Sequence, residues 1–404
     1  MSQFQINSIT NKEGDFGPVI SGVSTKNSTG CMIIPAGPRE KRGPRSRGVF
    51  GGGTVDPSNQ VVIDFINIQS LGNAIDFGDL PFAKDRPNGL GNATRGLFVG
   101  GRFSPTSSEY NIIDYITISS TGNAFDFGDL LKVNPDPECC ANNVRGVFSG
   151  GYLNPGAEGL QYKSIEFVTI ASLGNSASFG DSTITGRRSF SGSNSVRGIW
   201  GGVRNQTPSP GTRHNNIDYV TISSTGNAQD FGDTTTDLTE ATGISNSTRG
   251  IFAGGRNPTV HNVIQYVTIQ STGNAIDFGD LIISDRRNCA SCQSPTRGII
   301  AAGRDGGGTD INLIDYITIS TTGNSVDFGD LVSASHGRET MGGGNSTRGI
   351  FAGGNIPKTN VISYITIAST GNAQDFGDNT AETAGMNTMA CSSTRACMFG
   401  ADAP

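Results

Sequence analysis

The chain has 404 residues, of which 58 are glycine, and only 16% are charged while 34% are apolar. The low charge excludes a highly charged disordered chain, and no apolar run approaches the roughly 20 residues that span a bilayer. The net charge of −6 gives no general case for nucleic-acid binding. The seven cysteines are odd in number and irregularly spaced. They therefore predict free thiols in a reducing compartment rather than a disulfide framework.

Residues 1–46 precede the repeats and are predicted to form an N-terminal attachment arm with a basic linker. The first ten residues are polar and lack the apolar core of a signal peptide. Residues 38–47 carry five Lys or Arg and one Glu, and the flanking Pro and Gly favour a solvated linker over a site for nucleic acid or an acidic partner. The candidate attachment residues are Ile33, Ile34, Pro35, Arg42 and Arg45.

An Arg-Gly pair recurs along the rest of the chain at intervals of 48 to 52 residues. The repeated arginines are Arg47, Arg95, Arg145, Arg197, Arg249, Arg297 and Arg348, and Arg395 begins a degenerate eighth copy. A period near 50 residues is typical of propeller blades or solenoids. The sequence thus predicts a second region, residues 47–404, built from seven repeats.

Each repeat contains four strand-like segments in a fixed order. The first, such as Gly250–Ala253, ends in a Gly-Gly pair, and the second, such as Ile314–Ile319, is rich in β-branched and aromatic residues. A Gly-Asn turn then leads to a third segment that contains Phe-Gly-Asp. The fourth has small side chains that suit the crowded centre of a ring. The pattern predicts an all-β, seven-bladed β-propeller of four-stranded blades.

The order of a Gly-Gly strand, a Tyr-containing strand and a final strand resembles kelch-type β-propellers, although Phe replaces the usual kelch Trp. The chain also resembles virion proteins of marine cyanobacterial phages. The resemblance lies in the repeat sequences RGIFAGG and IDYITISSTGNAFDFGDL and in the N-terminal segments Gly17–Thr25 and Met32–Gly37. The C-terminal segment Met386–Ala401 is expected to complete the first blade and close the ring. An eight-bladed ring would instead need Ile6–Gly17 as part of a final blade.

Length variation is concentrated in the loop after Gly-Gly. The distance from the strand aromatic to the Phe of Phe-Gly-Asp is 12 residues in every unit, whereas the distance from the Arg to the aromatic varies from 16 to 22. In up-and-down blades these loops share a face with the links between blades. The candidate partner-binding residues on them are Arg102, Tyr110, Tyr152, Tyr162, Arg204, Arg213, His214, Arg256, His261 and Arg304. The plainer alternative is that they are tolerated surface loops.

The repeated arginines are predicted to form a structural latch with the aspartates of Phe-Gly-Asp, because an Arg fork can bind a carboxylate by two hydrogen bonds. The Phe of each motif is expected to fill the space between blades. The aspartates of this latch are Asp79, Asp129, Asp181, Asp233, Asp280, Asp330 and Asp378.

No enzymatic chemistry is predicted, and no catalytic residue, metal ligand or cofactor is assigned. The Asp-Phe-Gly motif recurs without the catalytic loop of a kinase. Cys289 and Cys292 lack a second ligand pair at zinc spacing. The segment from Asp305 to Asp310 lacks the spaced carboxylates of a calcium loop.

The phage resemblance implies a non-enzymatic virion structural protein on the tail, fibre, collar or capsid, assembled in the host cytoplasm. Expected partners are other virion proteins through the arm, and a host receptor or glycan through the loops. Several copies per particle are expected, with no nucleic acid bound and no membrane insertion. The alternative is a kelch-like lectin or enzyme with a site at the channel mouth.

Overall fold

The computed structural model describes residues 19–20, 23–24, 47–51, 54–55, 58–59, 61–84, 87–103, 108–135, 137–153, 160–187, 190–205, 212–257, 259–333, 336–337, 340–354, 358–383, 386–392 and 395–400. The attachment residues Ile33, Ile34, Pro35, Arg42 and Arg45 lie outside these ranges, as does the Ile6–Gly17 segment of the eight-bladed alternative. The strands at the start of the chain are β1 (Val19–Ile20), β2 (Val23–Ser24), β3 (Arg47–Gly51), β4 (Thr54–Val55), β5 (Ser58–Asn59), β6 (Val62–Asn67) and β7 (Ile75–Asp79).

The next two units supply twelve strands. They are β8 (Asn88–Gly91), β9 (Arg95–Val99), β10 (Arg102–Phe103), β11 (Ser108–Glu109), β12 (Ile112–Thr117), β13 (Phe125–Asp129), β14 (Glu138–Ala141), β15 (Arg145–Ser149), β16 (Tyr152–Leu153), β17 (Leu160–Gln161), β18 (Ser164–Thr169) and β19 (Ala177–Asp181).

The fourth and fifth units supply ten strands. They are β20 (Phe190–Ser193), β21 (Arg197–Asn205), β22 (Thr212–Thr221), β23 (Gln229–Asp233), β24 (Thr242–Ser245), β25 (Arg249–Ala253), β26 (Arg256–Asn257), β27 (Thr259–Val260), β28 (Val263–Thr268) and β29 (Ile276–Asp280).

The last part of the chain supplies another ten. They are β30 (Ala290–Gln293), β31 (Arg297–Ala301), β32 (Leu313–Thr318), β33 (Val326–Asp330), β34 (Met341–Gly344), β35 (Arg348–Ala352), β36 (Thr359–Thr366), β37 (Gln374–Thr383), β38 (Met386–Ser392) and β39 (Arg395–Gly400).

The fold is an all-β propeller with four-stranded antiparallel blades. Within the described residues six sheets have four strands, in the up-and-down order of β8, β9, β12 and β13. The small-residue strands lie at the centre, where β14 lies beside β8 and β20, β24 beside β20 and β30, and β34 beside β30. The sequence thus predicted both the fold class and the position of its small-residue strands.

The blade count differs from the expected seven four-stranded blades. The remaining large sheet has five strands, in the order β38, β39, β3, β6 and β7. Strand β38 lies between the inner strands β34 and β8, but β39 is inserted beside β3 and runs parallel to it. The physical reason is that the C-terminal hairpin brings two strands to a sheet that lacks one, because Arg395 begins a second copy of the β3 segment.

The same backbone hydrogen bond recurs at every junction between one sheet and the next. The N–H group of Gly122, in a Gly-Asn turn, donates to the carbonyl oxygen of Phe77 in the preceding sheet at 2.7 Å. The equivalent donor Gly72 reaches Phe376 at 2.9 Å, and so joins the first large sheet to the last. The donor and acceptor pairs are Gly122 and Phe77, Gly174 and Phe127, Gly226 and Phe179, Gly273 and Phe231, Gly323 and Phe278, Gly371 and Phe328, and Gly72 and Phe376. These contacts form a closed cycle.

The glycine of Phe-Gly-Asp is required by this contact. Gly279 has a φ of 144°, and a Cβ built on it would lie 2.5 Å from the carbonyl carbon of Gly323 in the next blade. The strand pairing also shifts by one residue here, so the preceding Phe278 occupies a β-bulge. Phe278 is buried between two blades, with Ile300, Ile317 and other apolar side chains. The predicted role of this Phe as inter-blade filling is therefore confirmed.

The arginine latch exists but has a different partner. Each described guanidinium lies over the aromatic ring of its own blade, 4.3 to 4.9 Å from the ring centre. Its Nη1 atom donates to a carbonyl oxygen in the next sheet. These bonds join Arg95 to Ile170 (2.9 Å), Arg145 to Ile222 (3.2 Å), Arg197 to Ile269 (2.9 Å), Arg249 to Ile319 (2.7 Å), Arg297 to Ile367 (3.0 Å) and Arg348 to Ile68 (2.7 Å).

The predicted pairing of these arginines with the Phe-Gly-Asp carboxylates is therefore wrong. Arg95 is opposite Thr117 at one end of β12, and Asp129 is opposite Ile112 at the other end. Five residues of strand separate the two positions, or about 17 Å. The aspartates contribute backbone groups instead, each donating its N–H to an asparagine in the next sheet. The set is Asp79, Asp129, Asp181, Asp233, Asp280, Asp330 and Asp378, at 3.0 to 3.2 Å. Arg47 contributes its backbone to β3, and its side chain lies outside the described part.

Candidate binding face

The two faces of the ring differ. The loops after the Gly-Gly pairs and the links between blades lie together on one face, which we call the loop face. On it the N–H of Gly101 donates to the carbonyl oxygen of Pro135 at 3.2 Å, and the N–H of Asn134 donates to that of Tyr110 at 3.3 Å. The other face, the hairpin face, carries the Gly-Asn turns and the turns before each Arg-Gly pair. This division agrees with the sequence prediction.

The ten candidate loop residues lie on the loop face but are spread over five blades. Arg102 lies in β10, Tyr152 in β16, Arg204 in β21, Arg213 and His214 in β22, and Arg256 in β26, while Tyr110, Tyr162, His261 and Arg304 follow β11, β17, β27 and β31 respectively. Among these candidates Arg204, Arg213 and Arg256 come together on the fourth and fifth blades, and Arg304 exchanges backbone hydrogen bonds with Arg287 on the sixth. Tyr162 instead contacts Lys132, whose Nζ lies 5.2 Å from the ring centre.

Three arginines stand side by side on the fourth blade. Arg187 and Arg204 exchange two backbone hydrogen bonds, at 3.1 and 2.9 Å, and Arg204 is directly opposite Arg213 in the β21–β22 pair. Residues directly opposite each other in antiparallel strands project their side chains to the same face of the sheet, with Cβ atoms about 5 Å apart. All three side chains are half-buried. The arrangement concentrates three positive charges on one surface.

The fifth blade adds a fourth arginine and one carboxylate. Arg256 follows the Gly-Gly pair of this blade and exchanges backbone hydrogen bonds with Thr239. Burial lowers the pKa of Arg204 from its ordinary value, and the charges of Arg213, Arg187 and Arg256 lower it further, while Glu240 opposes the change. We call Arg187, Arg204, Arg213 and Arg256 the arginine cluster.

Glu240 is shared between the cluster and the sixth blade. Its Oε1 lies 3.8 Å from Nη1 of Arg256, whereas its Oε2 lies 2.6 Å from Nη1 of Arg287. The closest partner of this carboxylate is thus outside the cluster. Glu240 is divided between Arg256 and Arg287, and the four arginines concentrate positive charge locally on a chain whose net charge is negative.

The glycine-rich loop of the sixth blade is held by its own side chains. Asp310 lies 3.8 Å from Arg304, and Asp305 accepts a 2.7 Å hydrogen bond from the N–H of Thr309. That backbone bond is the largest cause of a lowered pKa at Asp305. Both carboxylates therefore have partners within the loop. Across the described ranges no three His, Cys, Asp or Glu side chains converge as a possible metal site.

A buried polar pair inside the blades was missed at the sequence level. Lys84 Nζ lies 2.6 Å from Asp114, and Arg286 Nη1 lies 3.2 Å from Asp315, with all four side chains at most 1% exposed. The basic partner comes from the link between blades, and the acid precedes the strand aromatic. Desolvation lowers the pKa of Lys84 and raises that of Asp114.

In other blades the link position and the position before the strand aromatic hold different pairs of buried residues. Leu238 and Gln265 are both fully buried in the fifth blade, where Gln265 accepts a 2.7 Å hydrogen bond from the N–H of Thr235. In the seventh unit His336 contacts Ser363 at 2.8 Å. The sequence signal was available, since Lys84, Leu238 and Arg286 each stand four residues before an inner strand. It was missed because these links have no apolar periodicity.

The four cysteines whose side chains the structure describes are free thiols, as predicted. They are Cys139, Cys140, Cys289 and Cys292. Burial raises the pKa of Cys140, and it raises the pKa of Cys289 to about 11. Both thiols are therefore protonated near neutral pH, which makes them poor nucleophiles and metal ligands.

Comparison of the chain with protein-family models and with curated proteins found no match. The described residues contain no helix that is long and apolar enough to cross a bilayer.

Proposed function

We propose that this protein is a non-enzymatic binding module whose loop face engages a partner. One observation carries the proposal, namely that variable length and clustered charge occur on the same face of an otherwise regular ring. The conserved spacing of 12 residues between the strand aromatic and the Phe belongs to the hairpin side of each unit. Loops held on a rigid scaffold are where binding residues are most often found.

The proposal extends to a structural role in a phage particle. Its support is the resemblance of the repeat and of the N-terminal segment to virion proteins of marine cyanobacterial phages. In this proposal the propeller is kelch-like and is displayed on the tail, fibre, collar or capsid. The N-terminal arm attaches it to other virion proteins after synthesis in the host cytoplasm. Several copies per particle would convert weak contacts into firm attachment.

We also propose that the functional ring counts seven blades, with the five-stranded sheet as the seventh. The cycle of seven Gly-to-Phe hydrogen bonds supports this count, as does the position of β38 between β34 and β8. In this arrangement β39 is a duplicate of β3. Truncation after residue 392 would remove β39 and is expected to leave the melting temperature close to that of the full chain.

Loop replacement tests the binding role. Residues 152–163 and 203–216 are exchanged for short Gly-Ser connections, and binding of the purified protein to host cells is measured. We expect binding to fall at least about tenfold, because the loops carry the contacts. The matched control is Val144→Ser with Val196→Ser, two exposed positions on the hairpin face. Unchanged binding after loop replacement, in a chain that still melts cooperatively, would contradict the proposal.

Arm deletion tests the attachment role. Removal of residues 2–37 should leave a folded propeller that no longer copurifies with assembled particles. Retention of the shortened chain on particles, at the copy number of the full chain, would contradict a role for the arm.

The lectin form of the alternative function has one observation in its favour, the arginine cluster.

A further inference from the structure

The arginine cluster breaks a local rule of sheet stability. Like charges directly opposite each other in antiparallel strands are destabilising. Arg187, Arg204 and Arg213 nevertheless occupy three successive strand positions in a row across the fourth blade. Sites where a sequence departs from such rules are commonly functional. The departure here would be relieved by an anion held against the three guanidinium groups.

The cluster also has donor capacity that its surroundings do not use. The Nε atoms of Arg213 and Arg256 are buried, and no acceptor within the described part of the chain lies in hydrogen-bonding range of either. Glu240 is a carboxylate that acts on Arg204, but its closer partner is Arg287 at 2.6 Å. Planar guanidinium groups match carboxylate, sulfate and phosphate oxygens in geometry. The unused chemistry therefore suits an oxyanion.

The position of the cluster favours a polymer that lies along the surface. The loop hairpin of the fourth blade is longer than that of the fifth, since Tyr219 stands 22 residues after Arg197 whereas Tyr266 stands 17 residues after Arg249. Arg204 and Arg213 are paired near the outer end of the described part of this hairpin, beyond the four-stranded part of the blade on the loop face. An extended hairpin presents its side chains to a large ligand more readily than to a small ion in a pocket.

Charge spacing favours a polysaccharide over duplex nucleic acid. Duplex DNA carries one negative charge per about 1.7 Å of its axis, and its binding depends on extended basic surfaces. This chain has a net charge of −6, and Glu240 lies beside the cluster. A local cluster acts over about one Debye length, roughly 10 Å, which fits a polymer with one acidic group per sugar or two.

We propose that Arg187, Arg204, Arg213 and Arg256 bind the acidic groups of an anionic polysaccharide. The choice of a surface polysaccharide rests on the proposed function, whereas the oxyanion chemistry rests on the cluster alone. The acidic group is a carboxylate or a sulfate, two chemistries that the same guanidinium geometry accepts and that the experiment separates.

The test measures binding of the purified full-length protein to four polymers. They are polygalacturonate for carboxylate, dextran sulfate for sulfate, neutral dextran, and a 20-base-pair DNA duplex. We expect one or both acidic polysaccharides to bind and neutral dextran not to bind. The variant Arg204→Gln with Arg213→Gln should raise the dissociation constant at least about tenfold. It should also reduce the salt dependence of binding by up to about two ion contacts.

The matched control removes two positive charges elsewhere on the same face. Lys132→Gln with Lys358→Gln lies on the link after the second blade and on the loop of the seventh unit, outside both replaced loops, and has the same effect on net charge. We expect it to change the dissociation constant less than about threefold, because rim charges far from the ligand contribute little. Thermal unfolding of the arginine variant should occur at or above the wild-type temperature, because repulsion between paired arginines is removed.

Several results would overturn the inference. They are no binding of either acidic polysaccharide at low salt, equal loss in the arginine and lysine variants, and duplex DNA that binds as tightly as the best polysaccharide. If the double variant does not fold, Arg256→Gln on the separate fifth blade takes its place with the same expected direction. Loop replacement that abolishes cell binding while the arginine variant keeps polysaccharide binding would overturn this inference and leave the proposed function standing. If polysaccharide binding depends on the arginines but cell binding does not depend on the loops, the inference stands and the proposed function is contradicted.

Discussion

The Nη1 atom of Arg348 donates a 2.7 Å hydrogen bond to the carbonyl oxygen of Ile68, 280 residues earlier in the chain. Arg348 belongs to the last four-stranded blade, and Ile68 directly follows β6 in the five-stranded sheet. Arg249 and Ile319 form the same bond between two blades in the middle of the ring, at 2.7 Å. The junction between the two ends of the repeat region therefore uses the chemistry of an internal blade junction, and its stability should depend on the same residues.

The arginine latch is expected to stabilise each junction through its carbonyl bond and its aromatic contact. Arg249→Ala should lower the free energy of unfolding by about 1–3 kcal/mol, because a hydrogen bond from a charged donor and a cation–π contact are both lost. Arg249→Lys should recover only part of this, since an ammonium group lacks the planar fork. Chemical denaturation measures both changes.

The same measurement on Asp280→Asn distinguishes the observed latch from an Arg–Asp ion pair. Asp280 uses its backbone N–H for the contact to Asn324, so this side-chain change should cost less than about 0.5 kcal/mol. A loss as large as that of Arg249→Ala would show that the carboxylate is part of the latch.

Two glycines in one junction offer a matched comparison of backbone strain and space. Gly279 and Gly323 have similar φ values, 144° and 153°, that other residues rarely adopt. A Cβ on Gly279 would collide with the neighbouring backbone at 2.5 Å, whereas nothing lies within 4 Å of one on Gly323. Gly323→Ala should therefore cost about 1–3 kcal/mol from strain alone, and Gly279→Ala should cost more. Equal thermal shifts for the two variants would contradict the importance of the close approach.

The buried ion pair of the sixth blade should be replaceable only as a pair. Arg286→Leu leaves Asp315 buried without its cation and should cost about 3–5 kcal/mol. Arg286→Leu combined with Asp315→Gln copies the Leu238 and Gln265 pair of the fifth blade. The N–H of Ile282 donates a 3.3 Å hydrogen bond to Asp315, and the glutamine can accept the same bond. The double variant should therefore be more stable than Arg286→Leu. A double-mutant cycle from urea denaturation checks this, and strictly additive losses would contradict the pairing.

His336 should make stability fall in acid. It is fully buried, its Nδ1 donates to the carbonyl oxygen of Gly353 at 2.7 Å, and its Nε2 accepts from the Ser363 hydroxyl. Burial lowers its pKa below the ordinary 6.5, while the Gly353 bond opposes this change. The unfolded chain therefore takes up the proton first, so the free energy of unfolding should decrease as pH falls below about 6.5.

Melting temperatures between pH 5 and pH 8 check this expectation. His336→Gln should show a smaller loss between pH 6.5 and pH 5 than wild type, even if it is less stable throughout. His214→Gln, on the loop face, is the control and should retain the wild-type slope. An unchanged slope in His336→Gln would contradict the assignment.

The sequence alone was sufficient for the fold class and for the two faces of the ring. The strand pattern and the Gly-Asn turn are local signals that recur in every unit, and a Gly-Gly end recurs in six of the seven, with Ala302-Gly303 in the sixth. Because the same pattern occurs several times, one irregular copy does not change the prediction. The fixed distance of 12 residues, seen beside a loop of variable length, likewise predicted where irregular surface would lie.

Tertiary structure decided which side chains meet. Chemistry alone made Asp280 a reasonable partner for Arg249, but strand register places the two at opposite ends of a strand, and the next blade supplies Ile319 instead. Arg187 belongs to a link between blades, and Arg213 belongs to a loop hairpin. The two come close together because each is paired with Arg204. Repetition in a sequence fixes local geometry, whereas contacts between separate segments depend on register and on closure of the ring.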